Sequence, residues 1–475
     1  MRTTSHFVFE IFFLGKAMNK NALKIGWAQD SITPSQPVNL FGMFNERIST
    51  HVEEPCTVTA LALENADAEH AIWLSCDLVS VPLDVVQEVR QAVAKQIPEF
   101  DPNKLLISCT HTHNAPNFRG DLFPEPPAGA MTPMEYRAFF IQRVTDVAVR
   151  AWKLRASGQI TPALGHAVLG WCRRAVYSDG TGLMYGDTQR DDFLKIEGPM
   201  DPGIELLFTH DENGNPTGAL VSIACTPQTC QGENFLTADL WGPVRRNLRK
   251  HFGDEFTVLA ITGAAGDQCP DDLIRWGRSE PRLRGLDACE KLANRLTQGV
   301  VEGYDYGRRE MVAAPVFRHT HAVLNLPAYV MTAEQVAYYE NLISSLTVDG
   351  EPDPSSWDGG TLLRARRFLE SHTAMGPEPV LPVDCNFLRI GDMAIATNPF
   401  ELYLEYGQRI KACCPATQTI AAQLTNDRLG YLPTREALGH GHYSAMPSNI
   451  RVGPDGGDEL VAKSLEHLQM LFDTE

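Results

Sequence analysis

"NKLLISCTHTHNAPN", residues 103–117, is an apolar run that stops abruptly at a polar cluster. The run reads as a buried strand, and the residues after it are His111, His113 and an Asn-Ala-Pro turn. A strand whose carboxyl end opens into histidines suits an α/β sheet, where ligands collect at the carboxyl ends of strands. In extended chain the two histidines share a face, because the strand period is two. The tripeptide alone assigns nothing. It recurs at His319-Thr320-His321 inside "FRHTHAVLNLP", which reads as an ordinary alternating strand.

The neighbouring segments extend this pattern. "TVTALALE" and "HAIWLSCDLV" read as strands, and "LDVVQEVRQAVAKQI" has helical periodicity. "MTPMEYRAFFIQRVTDVAVRAWKL" is a long amphipathic helix with Thr132 and Pro133 as its start signal. "GIELLFTH" and "GALVSIAC" flank "DENGNPTG", a hairpin. A helix ("PVRRNLRKHF"), a strand ("FTVLAITG") and a helix ("LRGLDACEKLANRLTQGV") follow, and the last third repeats the mixture. The expected fold is α/β, a mixed sheet with flanking helices and a site at the carboxyl ends of strands. One catalytic domain is expected over 24–475, after an N-terminal extension, 1–23. The Pro-, Gly- and Asp-rich stretch near 346–362 reads as a surface excursion or subdomain boundary.

Composition bounds the partners. The 475-residue chain is 43% apolar and 21% charged, with a formal net charge of -18. That charge opposes binding to nucleic acid or an anionic membrane, and no run is long enough for an integral membrane segment. The eleven cysteines, several within apolar runs, fit buried thiols in a reducing cytoplasm. "HFVFEIFFLG" (6–15) is short and carries Glu10; export is the alternative if it acts as a signal.

Further strands end in polar clusters: Asp77 after "AIWLSC", Thr226 and Gln228 after "ALVSIAC", and Asp267 and Cys269 after "TVLAIT". Glu401 follows "MAIAT", and Tyr431 follows "IAAQL". Converging on one crevice, they would supply imidazole, carboxylate and phenol oxygen, which are Zn²⁺ donors. One histidine would ligate while the other bonds the substrate or a developing oxyanion. Asn114, Asp267 and Asp77 are candidate substrate contacts, although Asp77 and Asp267 also fit capping or turn roles. Asp239 reads as the cap of the helix near Pro243, and His440 and His442 as surface residues. A rival is a metal-free hydrolase with Cys269 as nucleophile.

The chain also resembles the neutral/alkaline ceramidase family, specifically its N-terminal catalytic domain. The resemblance rests on the order of "IGWAQDSITP", "THTHNAP" (110–116), "GAAGDQCP" (263–270), "NPFELYLEYGQRIK" (398–411), "GYLPTREAL" (430–438) and "GHYSAMPSNIRVGPDGGDELV" (441–461). It implies a catalytic Zn²⁺ held by two histidines, a glutamate and a tyrosine. Here it points to His111, Glu401 and Tyr431 as ligands, His113 beside them, Arg173 lining the site and Tyr443 at the oxyanion. Two departures stand out. Thr226 occupies the place of the second histidine ligand, so Gln228 or water would substitute, or a harder divalent ion would replace zinc. Cys269 occupies the place of a serine. The sphingolipid-cleaving members carry an additional C-terminal domain, which this sequence is expected to lack. The resemblance therefore implies a metal-dependent hydrolase of a C–N amide bond, on a small-molecule or lipid-like amide that need not be ceramide. A carbohydrate-related hydrolase and a non-catalytic homologue without metal are the other readings, and oligomeric state stays open.

Overall fold

The computed structural model describes residues 22–43, 45–120, 123, 125–276, 278, 281–353, 356–373 and 379–473. The expected extension lies outside this range over 1–21.

Eight strands form the large sheet: β1 Lys24–Ser31, β2 Thr57–Glu64, β3 His70–Cys76, β4 Leu105–Cys109, β5 Ala156–His166, β6 Gly203–Asp211, β7 Pro216–Ile223 and β8 Thr257–Thr262. Their order is β8-β7-β6-β5-β1-β2-β3-β4. The β3/β4 and β7/β8 pairs at the two edges are parallel, and every pair between them is antiparallel. Both parallel pairs are near-continuous apolar runs, as strands buried on two faces require. A second sheet has the order β9 Phe317–Pro327, β10 Val380–Ile390, β11 Met393–Thr397 and β12 Gln418–Ala422, with β11/β12 parallel.

The two sheets share one apolar layer. Leu61, Trp73, Leu106, Leu259, Leu388 and Ile420 belong to it. Helices α1 Leu83–Gln96 and α2 Pro133–Lys153 cover the β1–β4 half of the large sheet. Helices α3 Trp241–Phe252 and α4 Leu286–Gly307 cover the other half. The start of α2 follows the sequence signal: Thr132 Oγ1 accepts from Glu135 N, the Glu135 carboxylate accepts from Thr132 N, and Pro133 opens the first turn. This is the mixed α/β architecture expected from the sequence.

The stretch near 346–362 differs in detail. Helices α5 Ala333–Leu346 and α6 Trp357–Thr373 are inserted between β9 and β10 and pack through Tyr339 and Ala365. Gly359 and Gly360 hide the start of α6 from propensity, and burial of Leu362 and Ala365 overrides that weakness. Helix α7 Leu404–Cys413, the short α8 Arg435–His440 and α9 Pro454–Asp473 complete the chain.

The carboxyl ends of strands from both sheets meet. Thr262 Oγ1 donates to Thr110 O (3.0 Å), Gln423 N to Thr262 O (3.1 Å) and Asn426 N to Ile107 O (2.8 Å). These bonds lock the loops after β4, β8 and β12 together.

Candidate functional site

His111 lies where β4 has ended. Its φ is +68°, in the left-handed region that a residue with a Cβ occupies only under constraint. The extended geometry expected for His111 and His113 therefore gives way to a turn. The turn still brings the rings together, with centroids 4.9 Å apart at 76°. The His111 N–H donates to Leu78 O (2.9 Å), and Nδ1 lies 2.9 Å from Val79 O. A carbonyl can only accept, so Nδ1 carries the proton and Nε2 presents a lone pair.

That lone pair faces the Glu401 carboxylate, with Oε2 at 3.5 Å. Tyr431 stands beside Glu401 for a topological reason. The two-residue strands Glu401–Leu402 and Tyr431–Leu432 pair in parallel with Glu401 opposite Tyr431. Gly266 permits this approach, since a Cβ there would sit 2.2 Å from Glu401 O. Burial pushes the Glu401 carboxyl up, but His111, Arg428 and a hydrogen bond with Tyr431 outweigh it and hold it below the ordinary range. Burial and the Glu401 charge push the Tyr431 phenol well above its ordinary value. A lone-pair nitrogen, a carboxylate and a phenol oxygen thus converge with an acceptor-to-acceptor gap between the first two. This donor set fits a divalent cation, and the His111–Val79 bond is the orienting contact that metal-bound histidines use.

His113 is next. Its Nε2 is 3.3 Å from His111 Nε2 and 2.7 Å from Gln228 Nε2. Gln228 Oε1 accepts from Thr226 Oγ1 at 2.8 Å. Gln228 thus gives its amide nitrogen to His113 and its oxygen to Thr226, rather than presenting the oxygen as the expected ligand. Burial, with the His111 and Arg47 charges adding to it, drives the His113 imidazole well below its ordinary value.

Other expected contacts are placed elsewhere. Asp77 is fully buried. It pairs with Arg245 at 2.6 and 3.0 Å and accepts from Thr57 N and Oγ1, both at 2.9 Å, which leaves no face for substrate. Asn114 donates to Glu233 O and Phe235 O and ties down the loop around 233–235. Asp267 accepts from Leu404 N at the start of α7. Cys269 is fully buried, its sulfur donates to Asp271 O, and burial and Asp271 push its thiol up to about 12. A nucleophilic thiolate needs the opposite environment.

Arg173 stands behind Tyr431. Its Nη2 donates to Gly266 O (2.7 Å) and to Tyr431 OH (3.2 Å), so it positions the phenol rather than lining the cavity. Tyr443 does line the cavity, edge-on to Tyr431 with centroids 5.6 Å apart.

Three residues escaped the sequence reading. Arg428, three positions before Tyr431, takes the cationic place beside Glu401 at 3.4 Å and stacks over Phe41. Arg47 donates to His113 O (2.7 Å), Phe41 O (3.1 Å) and Glu233 O (2.7 Å), and clamps the histidine loop. Gly42, with φ +108°, supports the His113 ring, because a Cβ there would lie 2.6 Å from His113 Cγ. Only the glycine had any signal in the sequence, as the middle of "FGM" in a turn-like segment.

The other histidines singled out in the sequence make structural contacts. His319 sits in β9 with Asn386 Oδ1 at 2.8 Å, and His321 pairs with Asp384 at 3.0 Å. His440 meets Glu197, and His442 accepts from Met184 N. Among the described residues, Cys230, Asp239 and Cys289 also have metal-like spacing. Asp239, however, already accepts from Thr229 Oγ1, Cys230 N and Leu240 N, and so forms a buried knot just before α3 rather than a free ligand.

The chain shares its fold with the neutral ceramidase from Pseudomonas aeruginosa, at TM-score 0.70 and 15% identity over 95% of this chain and 75% of that one. A ceramidase complexed with C2 is similar at TM-score 0.70 and 16% identity, over 95% of this chain and 76% of that one. No protein-family model and no curated protein sequence matches the chain.

Proposed function

We propose that the protein is a metal-dependent hydrolase that cleaves a C–N amide bond. The observation that carries this reading is the meeting of His111 Nε2 with the Glu401 carboxylate at 3.5 Å, beside Tyr431. His111, Glu401 and Tyr431 would hold the ion, with His113 next to it. A divalent cation bound there supplies Lewis acidity, which lowers the pKa of a water and polarises the carbonyl. Zinc suits the donor set; a harder ion is the alternative, because Thr226 and Gln228 bring no second imidazole to the place the family's would occupy.

The chain supplies the rest. In the overall reaction, water adds across the amide, the C–N bond breaks, and a carboxylate and a protonated amine leave. Tyr443 is kept protonated by burial, so its phenol can donate to the oxygen that gains charge. His113, held neutral, can accept a proton through Nε2 once Gln228 yields it. Arg173 fixes the Tyr431 oxygen, and Arg428 balances Glu401. The fold similarity to ceramidases supports the reaction class and leaves the substrate open.

Elemental analysis of the purified protein and an amide-hydrolysis assay before and after chelation test this. The expected result is one divalent ion per chain, activity lost with chelator and regained on adding metal. Absence of stoichiometric metal together with chelator-insensitive turnover would overturn it.

A further inference from the structure

The cavity above His111, Glu401 and Tyr431 has a volume of about 310 Å³. That is the lower end of the range for small-molecule sites. Its walls are partly apolar, with Leu363, Phe368, Leu381, Leu429 and Ile450. Its charged lining is unusual for this protein. Arg119, Arg364, Arg367, Arg428 and Arg451 all border it, and Glu401 is the single carboxylate among the described lining residues. The chain as a whole has the opposite balance, 59 acidic against 41 basic residues. Among the described residues this excess of arginine in the cavity lining is a local arrangement, not a consequence of composition.

The inserted helix α6 builds much of it. Gly360, Leu363, Arg364, Arg367, Phe368 and Ser371 recur at the spacing of one helical face and border the cavity together. Arg366, on another face, pairs outward with Glu351. Burial pushes the Arg364 guanidinium below its ordinary value. Arg364 borders the same cavity as Tyr443, the phenol assigned to the oxyanion. From the opposite side, Arg428 reaches Glu401.

We infer that the substrate is an acidic amide: an apolar acyl chain joined to an amine that carries a carboxylate, sulfonate or phosphate, held by the arginines of α6 and of the loops at 428 and 451. This rests on the hydrolase reading for the reaction and on the cavity lining for the charge. Guanidinium groups pair with such anions through charge-assisted and often bidentate bonds, so one negative charge should change affinity by about tenfold or more.

The test separates binding from chemistry. Hydrolysis-resistant N-(octylsulfonyl)glycine and its neutral counterpart N-(octylsulfonyl)ethanolamine are titrated into the full protein by calorimetry at low and high salt. Turnover is measured in parallel on N-octanoyl-glycine, -taurine, -phosphoethanolamine and -ethanolamine; the three acidic amides distinguish carboxylate, sulfonate and phosphate. The expected result is a preference for the anion of at least about tenfold in Kd, reduced by salt and collapsing towards unity in R364Q/R367Q. Equal affinity for the two sulfonamides, or binding of neither, overturns the inference. Preferential anion binding with none of the amides hydrolysed sustains the anion preference of the cavity and sinks the hydrolase reading instead. Hydrolysis of the neutral amide with equal binding of the sulfonamides does the reverse.

Discussion

Removing the Asp77 carboxylate should destabilise the protein rather than disarm it. Asp77 and Arg245 are both inaccessible, their contacts are 2.6 and 3.0 Å, and the same carboxylate accepts from Thr57 N and Oγ1. D77A leaves a buried guanidinium without its counter-charge and two half-buried donors without an acceptor. Breaking a buried pair from one side costs about 3–5 kcal/mol, and we expect about 4 kcal/mol here. For a chain of this size a urea m value of at least ~3 kcal/mol/M follows, so the midpoint should fall by about 1 M. D77L/R245M removes both charges at similar volume and should recover most of the loss, because an apolar replacement of a buried pair is often neutral. Urea melts of wild type, D77L, R245M and D77L/R245M give the coupling directly. A D77A midpoint within a few tenths molar of wild type, combined with lost turnover, would refute the reasoning and return Asp77 to the substrate.

Gly42→Ala should hurt turnover more than metal binding. The new Cβ would lie 2.6 Å from His113 Cγ at φ +108°, and a displacement of His113 by about 1 Å can cost on the order of 100-fold in rate. Metal content and kcat/KM measured on the same preparation check this, and the expected pattern is metal retained with rate lost. Glu401→Gln should instead release the ion, read by elemental analysis after dialysis, since the carboxylate is a charged donor. Cys269→Ser should keep its activity, because the thiol is buried and held at about 12; an inactive, folded C269S would revive the thiol route. His319 gives a pH prediction. Burial lowers its folded value from 6.5 to about 4, so the unfolded chain takes the proton first. The contribution is full above about pH 6.5 and is lost as pH falls through 4, about 3 kcal/mol in all. H319Q should flatten that limb in urea melts taken between pH 7 and 4.

What the sequence displayed, and what it concealed, follows from length scales. Strands that are buried on both faces and end in polar residues announce themselves, so the β4 and β8 ends and their clusters were readable. The alternating context of His319 likewise marked it as a strand residue, and its bond to Asn386 agrees. Glu401 and Tyr431 stand out in the sequence only as members of strand-end clusters, and their assignment as ligands comes through resemblance, because their contact is a bridge between two-residue strands, too short to leave a periodic signal. Arg173 and Arg428 could not be told apart from sequence. Which of them meets the cavity depends on how the chain turns after β12, and that turn runs through Leu424 and Asn426 at φ +49° and +65°. Left-handed φ at Leu424 has no compositional mark.

The same contrast separates chemistry from choice of substrate. His111, Glu401 and Tyr431 stand at or just beyond the carboxyl ends of strands, and those ends are fixed by the meeting of two sheets. Their placement is set by the core. Arg364 and Arg367 stand on a helix inserted between β9 and β10, in a unit with its own small apolar contact through Tyr339 and Ala365. Such an insertion can change its cavity-facing side without disturbing the sheets. The fold similarity at 15–16% identity bears on the sheet scaffold alone, whereas the arginine face of α6 belongs to the cavity that the proposed substrate would enter. Exchanging the α6 arginines should alter selectivity while leaving the bound ion in place, and exchanging Glu401 should do the opposite.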